Sequence, residues 1–343
     1  LCDVDERTVY GNDGAVRGQF EPQSTDDLIS VSRHVASAVA NAQVEPVAFS
    51  EVQPLDAPWS QSSRDGISFA VGTYGMSTIE VTLGDELNQR HNALITGAVG
   101  QGKSNLISVV VHSLCQRYSP SEVEFYMLDF KEGVTLQAFA PDPSTGSFLP
   151  HARVLGLDAD REYGVNVLRH LFAIYRQRMA TFKAAGVQNI RQYRLADPEA
   201  VMPRIVVVID EFQMLFADQD TVATTASDLI VKGARLFRAC GIHFILASQT
   251  ISSGSILGST AQALFAQVPV RLALKNSLAE SHATLGLKND AASHIRSREA
   301  IVNFDYGELS SNRKTTIAYA DDRILGELRT AWWQRARDTV VPP

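Results

Sequence analysis

Asn92-Ala93-Leu94-Ile95-Thr96-Gly97-Ala98-Val99-Gly100-Gln101-Gly102-Lys103-Ser104 is the stretch that decides the fold. It begins as a short apolar strand, enters a glycine-rich loop and continues into a predicted helix, Ser104 to Arg117, in which leucine and β-branched residues predominate. From Gly97 onward it is a full match to the pattern GxxxxGK[ST], between a strand and a helix as that pattern requires. Gly97, Gly100 and Gly102 let the backbone curl so that successive N–H groups point inward at phosphate oxygens, aided by the positive end of the following helix. Lys103 then meets the β and γ phosphates as a point charge, and the Ser104 hydroxyl is placed to ligate Mg²⁺. Residues Gly97 to Asn105 are the expected nucleotide-binding stretch. A bare glycine turn capping a helix is the bland alternative, and the strand and helix flanks argue against it.

Four more apolar strands follow, "VEFYMLDF", "RIVVVIDEF", "IHFILASQ" and "VPVRLALK", separated by helical or loop segments. Strands alternating with helices predict an α/β fold with a mostly parallel central sheet. In such a sheet ligands sit outside the carboxyl ends of the strands. "RIVVVIDEF" delivers Asp210 and Glu211 to that edge, Asp210 for the Mg²⁺ shell and Glu211 to polarise the attacking water. "HFILASQ" delivers Gln249, whose amide is expected to sense the γ-phosphate or orient water. Upstream of it, "KGARLFRACG" sets Arg235 and Arg238 on one helical face, candidates for a cation supplied across a subunit boundary, with Arg271 a weaker one.

The chain has 343 residues, of which 45% are hydrophobic and 20% charged, an ordinary globular composition. Its 31 basic and 38 acidic residues give a net charge of −7, so no chain-wide basic field is available to hold a polyanion. Cys2, Cys115 and Cys240 have no CxxC pair and no metal spacing, and two of them sit inside apolar or helical runs that suit buried free thiols in a reducing cytosol. No apolar run approaches the ~18 residues of a membrane span. Residues 1–65 are polar and turn-rich and read as an appendage with one helix, Asp26 to Ala40; the main domain is expected over 66–330 and a tail over 331–343. "ISFAVGTYGMSTIEVTL" predicts two strands around a glycine turn at the start of that domain. A long helix between the second and third main strands carries a core stripe, Val165, Leu168, Phe172, Tyr175, Met179 and Phe182. Its opposite, basic face is Arg169, Arg176, Arg178 and Lys183. Segments 7–35 and 300–329 both read strand, glycine turn, strand, then a double-acid step into a helix. With Leu1 in place of a starting Met, this predicts a piece cut from a tandem array whose preceding domain ends in residues 1–65.

The motifs and the segments between them resemble the FtsK/SpoIIIE family of ring-forming motor ATPases from about Gly72 to Asp322. Beyond the nucleotide motifs the likeness rests on "MLDFK", on "LPHARVLGLDADREYGVNVLRHLFAIYRQRMATFKAAGVQNIRQYR" and on "RLFRACGIHFILASQT". It implies a RecA-like P-loop NTPase and a cytoplasmic ATPase, part of a hexamer or a tandem array, whose parent is membrane-associated in some branches. ATP and Mg²⁺ are its implied cofactors, and its implied cargo is double-stranded DNA or a protein carrying an export signal. Lys103 and Ser104 then serve the phosphates and Mg²⁺, Asp210 and Glu211 the metal and water, Gln249 the sensing role, and Arg235 or Arg238 the trans arginine. "DFKEG", "DEF" and "ASQ" are closer to the type VII secretion branch than to the chromosome translocases, and no winged-helix segment follows the motor. The DNA motor is the first expectation and the secretion motor the second.

Overall fold

The alternation of apolar strands and helices is realised in a computed structural model that describes residues 2–3, 8–10, 16–19, 24–41, 46–131, 135–251, 258–340 and 343. Two compact units are present, Leu1–Glu45 and Pro46–Pro343. The first has strands β1 (Cys2–Asp3), β2 (Thr8–Tyr10) and β3 (Val16–Gln19) in an antiparallel sheet, then helix α1 (Thr25–Asn41). The strand, strand, helix order expected there is observed; the glycine turn at 11–15 lies outside the described residues. Leu28 and Val31, at helical spacing on α1, are exposed.

The second unit opens with β4 (Val47–Ala48) and α2 (Phe49–Val52). The hairpin β5 (Ile67–Tyr74) and β6 (Ser77–Leu83) comes next, then β7 (Ala93–Thr96), α3 (Lys103–Arg117), β8 (Val123–Asp129), β9 (Ala152–Gly156), α4 (Arg161–Ala184) and α5 (Ile190–Ala196). The chain continues through β10 (Arg204–Asp210), α6 (Thr221–Leu236), β11 (Ile242–Ser248), α7 (Gly258–Phe265), β12 (Val270–Leu274) and α8 (Leu278–Leu285). It ends in β13 (Glu299–Asn303), β14 (Asn312–Tyr319) and α9 (Asp322–Ala336). These strands form one sheet in the order β6-β5-β14-β13-β12-β7-β11-β10-β8-β9, with β4 added on β14. From β12 to β9 all pairings are parallel, and from β12 to β6 all are antiparallel.

β10 shows why its sequence is a continuous apolar run. Val206 and Val208 enter the core layer with Leu106, Val110 and Leu114 of α3, while Ile205, Val207 and Ile209 enter the opposite layer with Val165 and Leu168 of α4. Alternate side chains of a strand point to opposite faces, so a strand covered on both sides must be apolar throughout. The α4 stripe packs as expected, but Arg178 leaves the solvated basic face. It is buried and donates to Cys240 O at 2.7 Å and Pro203 O at 2.8 Å, tying α4 to the starts of β10 and β11. Arg169, Arg176 and Lys183 are exposed as expected.

The expected boundaries shift at both ends. Residues 46–65 belong to the main unit rather than to an appendage. Phe49 and Val52 are buried with Val109, Ala318 and Leu325, and Ser63 donates through its hydroxyl to Glu122 O at 2.8 Å. So few apolar residues in a polar stretch give no periodicity to read, yet Phe49 and Val52 are core residues. The tail starting at 331 is likewise structural to Ala336: Trp332 is only 1% exposed and its indole donates to Gln116 Oε1 at 3.1 Å. Cys115 and Cys240 are buried free thiols.

Gly72, where β5 crosses β14, is required by close approach. A Cβ there would sit 2.0 Å from the Thr316 carbonyl oxygen. Gly72→Ala is expected to destabilise the protein by about 1–3 kcal/mol, whereas Gly75→Ala at the hairpin tip meets no atom and only strains a φ of +58°. Urea melts of the two variants check this; a Gly72→Ala midpoint equal to wild type would refute the close-approach argument.

Candidate active site

Strand β7 runs parallel between β11 and β12, so the loop after it emerges at the carboxyl edge of the sheet. Gly100 and Gly102 take φ of +76° and +97°, the left-handed backbone that glycine adopts without strain. Gly97 is needed for a different reason, since a Cβ there would lie 2.9 Å from Leu274 on β12. Gly102 caps α3, which starts at Lys103, one residue before the expected start. The N–H groups of Ala98 and Gln101 bond to Lys275 O and Ala98 O, both at 3.1 Å, and hold the loop in shape. Val99 is exposed at its tip, and Ser104 is exposed with its hydroxyl 2.9 Å from that of Thr135.

Lys103 is buried and forms ion pairs with both sequence-predicted carboxylates, Asp210 and, at 3.0 Å, Glu211. Asp210 also accepts the Glu211 N–H at 3.0 Å. Glu211 stands at φ +52°, a conformation uncommon outside glycine that concentrates at functional sites. It accepts from Gln213 Nε2 at 2.7 Å and from the Gln249 N–H at 3.3 Å. Burial pushes the Glu211 carboxyl up, but the Gln213 hydrogen bond and the Lys103 charge outweigh it and hold the group below its ordinary value, hence ionised at neutral pH. Lys103, Ser104, Asp210, Glu211 and Gln249 are thus brought together, though they span three strand ends and a helix.

Other candidates fall elsewhere. Asn105 spends both ends of its amide on β14 and its exit, donating to Ala318 O and accepting from Ala320 N at 2.8 Å each, so its side chain is a fold clamp. Arg235 and Arg238 are exposed, but they precede the amino end of β11, the sheet edge opposite the phosphate loop. The chain's own site does not receive them. Arg271 is buried, with its guanidinium donating to Thr284 O at 2.7 Å and Phe265 O at 3.2 Å, which removes it as a group offered to a neighbouring subunit.

Sequence reasoning assigned no role to Asp129, Lys131, Thr135 or Tyr319. Asp129 closes β8 directly opposite Asp210 and is 1% exposed. Burial, with the Asp210 charge adding to it, raises its carboxyl above the ordinary value against the Lys131 N–H bond. The likeness of "LDFK" at 128–131 to "IDEF" at 209–212, each an acid closing an apolar strand, was the available signal. Tyr319 borders a cavity of about 320 Å³ that opens beside Gly100 and Gly102 and is walled by Leu274 and Ile317. No helix among the described residues is long and apolar enough to cross a membrane.

Known proteins resemble this chain in sequence and in fold. Residues 56–253 match the sequence model described as the FtsK/SpoIIIE family. The chain is 28% identical over 301 residues to the DNA translocase FtsK of Oceanobacillus iheyensis, covering 84% of this chain and 35% of that protein. It is 30% identical over 213 residues to the ESX-5 secretion system protein EccC5 of Mycobacterium tuberculosis, covering 60% of this chain and 14% of that one. Its fold is similar to the cytoplasmic domain of the Thermomonospora curvata type VII secretion ATPase EccC, with a TM-score of 0.68 at 22% identity over 84% of this chain and 34% of that one.

Proposed function

The chain belongs to the FtsK/SpoIIIE family, and from that membership we propose that this ATPase domain hydrolyses Mg-ATP to drive double-stranded DNA through a ring of six such domains. The observation that carries the reading is the seating of Lys103 against Asp210 and Glu211 beneath the glycine loop. In this reading the β and γ phosphates draw Lys103 off its two carboxylates. Glu211, freed and ionised, then faces the attacking water as its general base. The nucleotide base takes the cavity beside Tyr319. Ser104 and Asp210 offer Mg²⁺ two hard oxygen donors, a set that suits an ion that keeps waters and shares phosphate oxygens. When bound, that ion neutralises phosphate charge. Arg235 or Arg238, remote from the chain's own site, acts on that of the next subunit. Residues 1–65 are proposed to begin with the end of a preceding ATPase domain.

The DNA reading is supported by the FtsK relative, whose alignment takes in 84% of this chain. Steady-state ATPase with linear duplex DNA at low and moderate salt tests it, with Glu211→Gln as blank. The expected result is stimulation that fades as salt rises, through release of counterions from the phosphates. Turnover indifferent to DNA at every salt would overturn it. The second reading, a motor for protein export, is favoured by "DFK" at 129–131, "ASQ" at 247–249 and the net charge of −7. It predicts that indifference together with activation by a signal peptide.

A further inference from the structure

Lys131 lies two residues past the end of β8, and its backbone N–H is anchored on Asp129 Oδ1 at 2.9 Å. Its ammonium meets Gln249 Oε1 at 3.3 Å, just past the end of β11. Strands β8 and β11 are not neighbours, because β10 lies between them. Adjacent strands are about 4.8 Å apart, so the Lys131 and Gln249 side chains, meeting end to end, together bridge roughly 9–10 Å over the carboxyl end of β10. Asp210 and Glu211 stand at that end, and the Gln249 N–H already donates to Glu211. Lys103 approaches the same pair of carboxylates from the phosphate loop. The pair is therefore flanked by two cations of this chain, one buried and one exposed.

An ammonium only donates hydrogen bonds, so the Gln249 atom that it meets must be the amide oxygen. The contact thereby settles which way this amide faces, a choice otherwise left open by its near symmetry. With the oxygen held by Lys131, the NH₂ end is free to donate. We propose that Lys131 is a positioning residue for hydrolysis, fixing the Gln249 amide across the end of β10 so that its NH₂ group is presented to the terminal phosphate. This rests on the ATP-hydrolysis reading above and adds to it a cation from within the chain, distinct from any arginine of a neighbouring subunit. It also gives Asp129 a task. By holding the Lys131 backbone, this buried carboxylate sets where the lysine leaves β8.

The test is a double-mutant cycle on the full chain, with kcat and the dissociation constant of a fluorescent ATP analogue measured for wild type, Lys131→Met, Lys131→Arg, Gln249→Ala and Lys131→Met/Gln249→Ala. The expected result is a kcat about tenfold lower in Lys131→Met, with analogue affinity within about twofold of wild type and Lys131→Arg recovering most of the rate. Once Gln249 is gone Lys131 has nothing to orient, so the double variant should be no slower than Gln249→Ala alone. Wild-type kcat in Lys131→Met, or losses that multiply in the double variant, would overturn the assignment. Because Lys131 is exposed, a thermal melt of Lys131→Met should match wild type; a collapsed melt would make the residue structural and overturn the assignment as well. If wild type itself hydrolyses no ATP above the Glu211→Gln blank, the hydrolysis reading fails first, visibly in wild type, and the role of Lys131 falls with it.

Discussion

Lys103→Ala is expected to bring ATP turnover down to the Glu211→Gln blank, the larger of the two strongest effects anticipated for this protein. Two losses coincide. The phosphates lose the one side chain that the loop buries beneath them, and Asp210 and Glu211 lose the cation paired with both. Breaking a buried ion pair from one side costs about 3–5 kcal/mol when the remaining charge stays in place. Here the cost is moderated because Glu211, no longer held down by Lys103, takes up a proton more readily. The melting temperature should therefore fall less than the turnover, and adding ATP should no longer raise it. Turnover within tenfold of wild type would remove the phosphate role of Lys103 and with it both motor readings.

Glu211→Gln is expected to lower kcat by about 10²–10⁴-fold, the usual worth of a positioned general base, while ATP binding survives. Glutamine keeps the shape and can still meet Gln213 and the Gln249 N–H, the two neutral donors that hold Glu211 in place. Removing the charge also leaves Lys103 with one carboxylate instead of two, which frees it for phosphate. ATP affinity equal to wild type or tighter, with slow single turnovers, is the expected signature. Loss of binding in step with loss of turnover would mean that Glu211 holds the loop together and is not the base.

Much of this site was legible because its chemistry is local in sequence. The glycines, lysine and serine of the loop are adjacent, and the left-handed φ of Gly100 and Gly102 is a requirement no other residue meets cheaply. Asp210 and Glu211 end a strand whose unbroken apolar run marked it as central, so their exit at the ligand-binding edge followed from the fold class. Lys131 was not legible. An exposed lysine after a strand looks like any solvated charge until the sheet order puts β10 between β8 and β11. The arginines misled in two ways: Arg178 and Arg271 read as surface or functional charges, yet each is buried and saturated by backbone carbonyls.

By itself the sequence determined the parallel α/β class, the phosphate loop, the two carboxylates, the C-terminal hairpin and helix, and the family. All of these are written as periodicity or as short contiguous motifs, which nearby residues enforce whatever the rest of the chain does. Long-range packing, which no local pattern announces, brings Phe49, Val52 and Trp332 into the core. It alone turned Asn105 into a clamp, sent Arg235 and Arg238 to the far edge and placed Asp129 opposite Asp210. Those facts depend on strand order and register, which pair residues tens to hundreds of positions apart. No local pattern carries that information, because it resides in which apolar faces find each other when the sheet closes its two cores.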